Sequence, residues 1–357
     1  MPSRTVVIRV DANSEMGIGH VMRCLALAHA WQSRGGKAVF ALASGAQELS
    51  DRIRSCGADV FRIDGNPGSQ KDAACTLELA EKSDASWLVV DGYHFSANFL
   101  HTLRVSRARL LVVIDDGQVP NCDCDIVVDP SVDIAGTPVT LGKSTELLQG
   151  PAYALLRPEF LDGPKQAGEM PETARRILIT FGGGDFPNGG LAALLALQHI
   201  AELELEVTVV VGPSNPHRKS LEVAAQESRH EVQLLEKISN MADVMDGMDL
   251  AITGGGGTCY ELALMRVPMF LITIAENQDQ TAKALALANA ALSAGPLRSV
   301  VQPHLSKMLE DVIRNRGLRT QFVEQAHKMI DGKGTERIVQ RMLAHVPDRT
   351  RTVESSN

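Results

Sequence analysis

Residues 17 to 23 read Gly17-Ile18-Gly19-His20-Val21-Met22-Arg23 and follow closely on the apolar run Thr5–Val10. A buried strand, a glycine-punctuated turn and a helix opening on a histidine make an element suited to handling phosphate. The glycines let the backbone approach a ligand, and the helix start offers unpaired N–H groups and a positive dipole end to an anion. His20 adds a side chain that takes or gives a proton near neutral pH. The plainer reading of the same residues is a glycine turn followed by a polar side chain in the first helical turn.

Two further glycine loops follow apolar runs in the second half of the chain. Phe181-Gly182-Gly183-Gly184-Asp185-Phe186-Pro187-Asn188 comes after Ile177–Thr180, and Gly254-Gly255-Gly256-Gly257-Thr258-Cys259-Tyr260-Glu261 comes after Asp249–Thr253. Either alone reads equally well as a flexible connection. Together with the first loop, and divided between two halves of the chain, they suit a diphosphate lying across a cleft. No Gly-Lys-Ser/Thr follows any of them, which excludes a Walker loop, and none fits the dinucleotide fingerprint with its later acidic residue.

Side chains with chemical capacity cluster where these runs end. Glu261 stands one turn into the helix expected after the glycine run, where its carboxylate can accept hydrogen bonds from a ribose diol or simply favour the helix dipole. Ala275-Glu276-Asn277-Gln278 closes another apolar run, either as a cap or as part of the cleft edge. In Asp91-Gly92-Tyr93-His94, the Tyr93 hydroxyl is preferred over His94 as a site group. Asp115-Asp116 would be the first metal ligands to consider, but adjacent carboxylates in a strand point apart, which favours capping or turn formation.

The elements that must position these residues alternate in two passes. Short β-rich runs at Thr5–Val10, Lys37–Ala43, Asp59–Ile63, Trp87–Asp91, Leu110–Asp115 and Asp125–Asp129 are separated by amphipathic stretches such as His20–Arg34 and Gln47–Cys56. The pattern restarts at Arg176–Phe181, Glu206–Val211, Val232–Leu235, Asp249–Thr253 and Pro268–Thr273, and the chain turns mainly helical after Ala294. Continuous apolar strands alternating with helices predict parallel sheets covered on both faces. The expected fold is α/β, with two doubly wound Rossmann-like domains facing a cleft. Residues 1–155 would form the first domain, 156–345 the second, and 346–357 a polar tail.

Composition narrows the functions further. A net charge of -8 argues against general nucleic-acid or anionic-membrane binding. Met1-Pro2-Ser3-Arg4 leads straight into a strand without the apolar region of a signal peptide, and no apolar stretch reaches membrane-spanning length. The cysteines are scattered, as reduced thiols would be, so a cytoplasmic protein is expected. Cys122-Asp123-Cys124 lacks a second close Cys/His pair and does not read as a zinc site.

Taken together, these segments resemble the UDP-sugar hydrolases of pseudaminic acid biosynthesis, which act on UDP-2,4-diacetamido-2,4,6-trideoxy-β-L-altropyranose. The resemblance runs through Arg9-Val10-Asp11-Ala12, Gly17–Arg23, Val90–Tyr93, Ile114–Asp116, Tyr153–Phe160, Phe181–Asn188, Gly212–His217, Gly254–Glu261 and Glu276–Gln278. It implies the two-domain GT-B fold, similar to the enzyme that adds N-acetylglucosamine to peptidoglycan lipid precursors. It also implies that His20 is the general base, with Tyr93 and Asn277 as supporting catalytic groups. The implied substrate contacts are Asp11, Gly17, Gly19 and Arg23 in the first domain. In the second they are Gly182, Gly183, Gly184, Asp185, Asn188, Gly255, Gly256, Gly257, Thr258, Glu261 and Gln278. A UDP-sugar is the expected partner, with no metal, no other cofactor, no nucleic acid and no membrane, in a monomer or weak homo-oligomer. Gly92 departs from a frequent histidine, and Gly184 and Gly257 replace residues that are often serine. A glycosyltransferase with an acceptor in place of water, and a nucleotide-sugar-binding protein without catalysis, are the alternatives.

Overall fold

The computed structural model describes residues 4–13, 17–104, 109–113, 124–131, 145–164 and 168–345. Asp115, Asp116, Cys122 and the expected tail at 346–357 lie outside them. The first sheet takes up β1 (Thr5–Val10), β2 (Lys37–Leu42), β3 (Asp59–Arg62), β4 (Ala85–Asp91), β5 (Arg109–Val113), β6 (Ile126–Asp129) and β7 (Glu146–Gln149). Helices α1 (Gly19–Ser33), α2 (Gln47–Ser55), α3 (Gln70–Lys82) and α4 (Ala97–Leu103) connect the first five strands. Every strand pair is parallel, in the order β3-β2-β1-β4-β5-β6-β7.

The second sheet repeats the plan with β8 (Arg176–Thr180), β9 (Glu206–Val210), β10 (Glu231–Leu235), β11 (Leu250–Thr253), β12 (Met269–Thr273) and β13 (Leu292–Pro296). Its order is β10-β9-β8-β11-β12-β13, again parallel throughout. The helices are α5 (Gly189–Gln198), α6 (Arg218–Gln226), α7 (Met241–Met245), α8 (Thr258–Leu264), α9 (Asn277–Leu287), α10 (Gln302–Arg314), α11 (Arg316–Met329) and α12 (Gly334–Ala344).

Side-chain alternation explains how each apolar run fills two cores. In β1, Val6, Ile8 and Val10 join α1 and α2 on one face, while Val7 joins α3 and α4 on the other. In β8, Ile177 and Ile179 face α5 and α10, and Leu178 faces α7 and α8. Burial on both faces is why these strands read as continuous apolar runs rather than alternating ones.

The strand order reverses between β1 and β4 and again between β8 and β11. Ligands of open α/β sheets bind beyond the carboxyl ends of the strands at such a reversal. The loops leaving β1, β4, β8 and β11 are those that carry the His20, Tyr93, Gly182–Asn188 and Gly254–Glu261 segments.

Two edge strands, β7 and β13, were not among the runs expected from sequence. Both are only partly buried, and β13 contains Gly295 and Pro296. An edge strand buries less and tolerates proline, so its sequence signal is weak. Sequence also placed everything to residue 345 with the second domain. The buried side of α12, with Ile338, Val339 and Met342, instead lies in the first-domain core against α1.

Candidate active site

On the first-domain side, α1 begins at Gly19 after Gly17, whose φ of 70° is a left-handed conformation that suits glycine. The Ile18 N-cap makes no side-chain hydrogen bond, so no side chain of its own cap blocks the amide-bearing end of the helix. Within the first turn, the buried His20 places Nδ1 2.6 Å from Asp91 Oδ1 at the end of β4. Arg23 grips the same carboxylate, with Nε 2.6 Å from Oδ2 and Nη2 2.5 Å from Oδ1.

Burial alone would push the Asp91 carboxyl up. Arg23 and His20 outweigh burial and hold it well below the usual carboxylate range. An ionised Asp91 can only accept, so the 2.6 Å contact calls for a proton on His20 Nδ1, which leaves the lone pair on Nε2, although Arg23 Nη2 also stands 3.0 Å from that Nδ1. Tyr93, two residues beyond Asp91, sets its ring edge-on to His20 at 4.7 Å between centroids.

Behind this group lies a second ionic cluster. Asp11 accepts from the backbone of Ala43 and Ser44, each at 2.8 Å, and its Oδ2 lies 2.6 Å from Arg9 and 3.0 Å from His94 Nε2. Arg9 is fully buried and also pairs with Asp72. Asp11 therefore ties the loops after β1, β2 and β4 together. Burial works against its charge, but His94 and Arg9 hold its carboxyl below the usual range. Gly92 has a φ of 151°, and a β-carbon there would come within 2.8 Å of His94 Cε1. Glycine at this position is what leaves room for the His94 ring.

The second-domain side presents mostly backbone. Gly182 is exposed, Gly183 and Gly184 are half-buried, and a β-carbon on Gly183 would stand 3.7 Å from Ile18 N of the opposite loop. The two glycine loops thus face each other across the cleft. Asp185 turns inward and accepts from Gly189 N at 2.6 Å and Gly190 N at 2.8 Å, capping α5 itself. Burial pushes its carboxyl up against those two bonds. Asn188, in the left-handed region, donates to Ser220 Oγ at 3.5 Å.

In the loop after β11, Gly254 and Gly255 are buried while Gly256, Gly257 and Thr258 form its open part. A β-carbon on Gly255 would come within 2.3 Å of the Gln278 carbonyl. Gln278 also accepts through Oε1 from Ile274 N at 3.0 Å and Gly255 N at 3.3 Å, which joins this loop to the start of α9. Asn277 donates to the Tyr93 hydroxyl across the cleft at 2.9 Å.

Glu261 does not stand alone. Arg157, from the segment joining the two sheets, donates to its Oε1 through Nε at 3.0 Å and Nη2 at 2.9 Å. Burial pushes the Glu261 carboxyl up, Arg157 opposes that, and neighbouring Glu159 adds to it.

The structure therefore brings His20, Tyr93 and Asn277 together, with Arg23 bound to Asp91 and Asp11 bound within its own domain. Asp91 and Arg157 were missed as members of the site. Both lie in segments that carry the resemblance, Val90–Tyr93 and Tyr153–Phe160, where a strand-end aspartate beside Tyr93 and an arginine before Pro158 were the available signals.

Residues 190–341 match the glycosyltransferase family 28 C-terminal domain. MurG of Acinetobacter baumannii superposes with a TM-score of 0.69 at 17% identity, covering 96% of this chain and all (100%) of MurG. The fold is GT-B. Over 284 residues the chain is 25% identical to the UDP-2,4-diacetamido-2,4,6-trideoxy-beta-L-altropyranose hydrolase of Campylobacter jejuni, covering 79% of this chain and 96% of that protein. It is also 23% identical to the spore coat polysaccharide biosynthesis protein SpsG of Bacillus subtilis, over 93% of this chain and 96% of the relative. Among the described residues no helix is long and apolar enough to cross a membrane.

Proposed function

We propose that this protein binds a UDP-linked 2,4-diacetamido-2,4,6-trideoxyhexose and hydrolyses it to UDP and the free sugar. The observation that carries the reading is the His20–Asp91 contact of 2.6 Å at the carboxyl end of the first sheet, opposite the glycine loops of the second. The similarity to the Campylobacter hydrolase supports the choice of substrate. Water gives its proton to Nε2 of His20 as its oxygen attacks the anomeric carbon from the face opposite the diphosphate. The bond from that carbon to the β-phosphate oxygen breaks, UDP leaves with the electron pair, and the configuration inverts.

Asp91 keeps the histidine in the accepting tautomer and stabilises the imidazolium that forms. Amides of Gly182–Gly184 and of Gly256–Thr258 meet the charge developing on UDP, a role that needs no divalent metal. Tyr93 and Asn277, joined across the cleft, orient the sugar between the domains.

A transferase reading is favoured by the family 28 match, with an acceptor hydroxyl in place of water. Incubation of pure protein with the UDP-sugar and no acceptor separates the two. Release of UDP and free sugar in step supports hydrolysis. UDP release only after an acceptor is added would replace it with transfer, and tight binding without turnover would leave a binding protein.

A further inference from the structure

The interdomain segment supplies an arginine that the reaction above does not use. Arg157 precedes Pro158 and the short helical turn Pro158–Phe160, and its guanidinium lies 4.8 Å over the Phe160 ring. Phe160 is fully buried in the core that also holds Cys259, Tyr260 and Leu262 of α8, so the arginine is mounted on the packing of the helix it serves. Three donors leave the guanidinium. Nε and Nη2 both reach Glu261 Oε1, and Nη1 reaches Glu159 Oε1 at 2.8 Å. Glu159 also takes the Met241 amide of α7 at 3.4 Å. Among the described residues Oε2 of Glu261 accepts from nothing.

We propose that Arg157 is a positioning residue that fixes the Glu261 carboxylate by one oxygen and leaves the other for the diol of a nucleotide ribose. This rests on the nucleotide-sugar reading above and deepens it. A lone glutamate on the first turns of a helix has several rotamers. Clamping Oε1 with two donors of one planar group removes them before the ligand arrives.

The charged and titratable neighbours of Glu261 are Arg157 and Glu159 from the joining segment and Cys259 from its own helix. On the α11 side, His327 lies against Arg266 and the Ala263 backbone. Removing Arg157 would leave two nearby carboxylates, Glu159 and Glu261, without their shared cation. Glu261 would then hold its proton to higher pH and could not accept both hydroxyls.

The test is calorimetric binding of UDP and of 2′,3′-dideoxy-UDP to the whole protein, across about pH 5 to 9, for wild type, Arg157→Met, Arg157→Lys and Glu261→Gln. Arg157→Met should weaken UDP roughly 10- to 100-fold near neutrality. The loss should shrink as pH rises, and Arg157→Lys should restore part of the affinity. Dideoxy-UDP, which lacks the diol, should bind all four proteins alike. Adding Arg157→Met to Glu261→Gln should change little. Unchanged UDP affinity in Arg157→Met overturns the proposal. So does a loss shared by dideoxy-UDP and still present beside Glu261→Gln, which is the mark of a merely structural arginine. If wild type binds neither nucleotide, the nucleotide-sugar reading falls and this proposal with it.

Discussion

On the first-domain side of the cleft, polar side chains bind one another: Arg23 and His20 hold Asp91, and Arg9 and His94 hold Asp11. On the second-domain side the polar surface is largely backbone, from Gly182–Gly184 and Gly256–Thr258. The carboxylates differ accordingly. Asp91 and Asp11 are held below the ordinary range by cations, whereas burial lifts Asp185 and Glu261 above it. An imidazole must be aimed before the substrate arrives, and a buried ionic network aims it. Amides around a diphosphate need only stay free, and glycine keeps them accessible.

The sharpest break of this contrast is His20→Asn. Turnover should fall roughly 10²- to 10⁴-fold, the usual contribution of a positioned base, while UDP affinity stays near wild type because the proposed nucleotide site lies on the other side. A kinetic and calorimetric pair of measurements checks it. Near-normal turnover with altered melting would reduce His20 to a packing residue.

Asp91→Asn should damage both chemistry and fold. The amide leaves the partly buried Arg23 without its counter-charge, at a cost of about 3–5 kcal/mol in stability. It also releases His20 from the accepting tautomer, so turnover should drop by roughly 10²-fold or more. Denaturant melts alongside steady-state rates measure the two effects. If stability falls but turnover per folded molecule does not, Asp91 supports the domain and not the base.

Acid should separate the two halves. Asp11 and Asp91 have an ordinary value of 3.8 and titrate below it when folded. The stability they contribute is present above that value and lost as pH falls through their folded values. Asp185 and Glu261 are raised, so the stability tied to their neutral forms is present at low pH and lost as pH rises. Both tryptophans, Trp31 and Trp87, are buried in the first-domain core. Their fluorescence should therefore change at a higher pH than the far-ultraviolet ellipticity of the whole chain. Coincident transitions would show that the halves unfold as one.

The smallest effect belongs to the contact that joins the halves. Tyr93→Phe removes the partner of Asn277 at an exposed position, so stability should shift by no more than about 0.5–1.5 kcal/mol. Its KM for the UDP-sugar should rise more than its kcat falls. A change in kcat alone would move Tyr93 into the chemical step.

Much of this was legible in the sequence for a physical reason. Apolar runs buried on both faces give unbroken signals, and glycines at strand ends announce the loops that follow them. The central strands and the three glycine loops were read in this way. What escaped depends on distance along the chain. Asp91 is 71 residues from His20, and Arg157 is 104 residues from Glu261, so only the folded chain pairs them. Asp185, counted among the substrate contacts in the sequence reading, also takes the Gly189 and Gly190 amides that start α5, a pairing set by the local turn.

The return of α12 to the first-domain core has a consequence for how the protein is made. Ile338, Val339 and Met342 complete a core begun by Val6 and Ile8, and Arg341 adds an ion pair to Glu146 of β7. During synthesis the ribosome must finish the whole second sheet before these residues emerge. The half of the molecule that appears first is thus completed last, and until then it exposes an apolar stripe beside α1. A nascent chain in that state is a substrate for chaperones, and the second domain is free to fold before the first has closed.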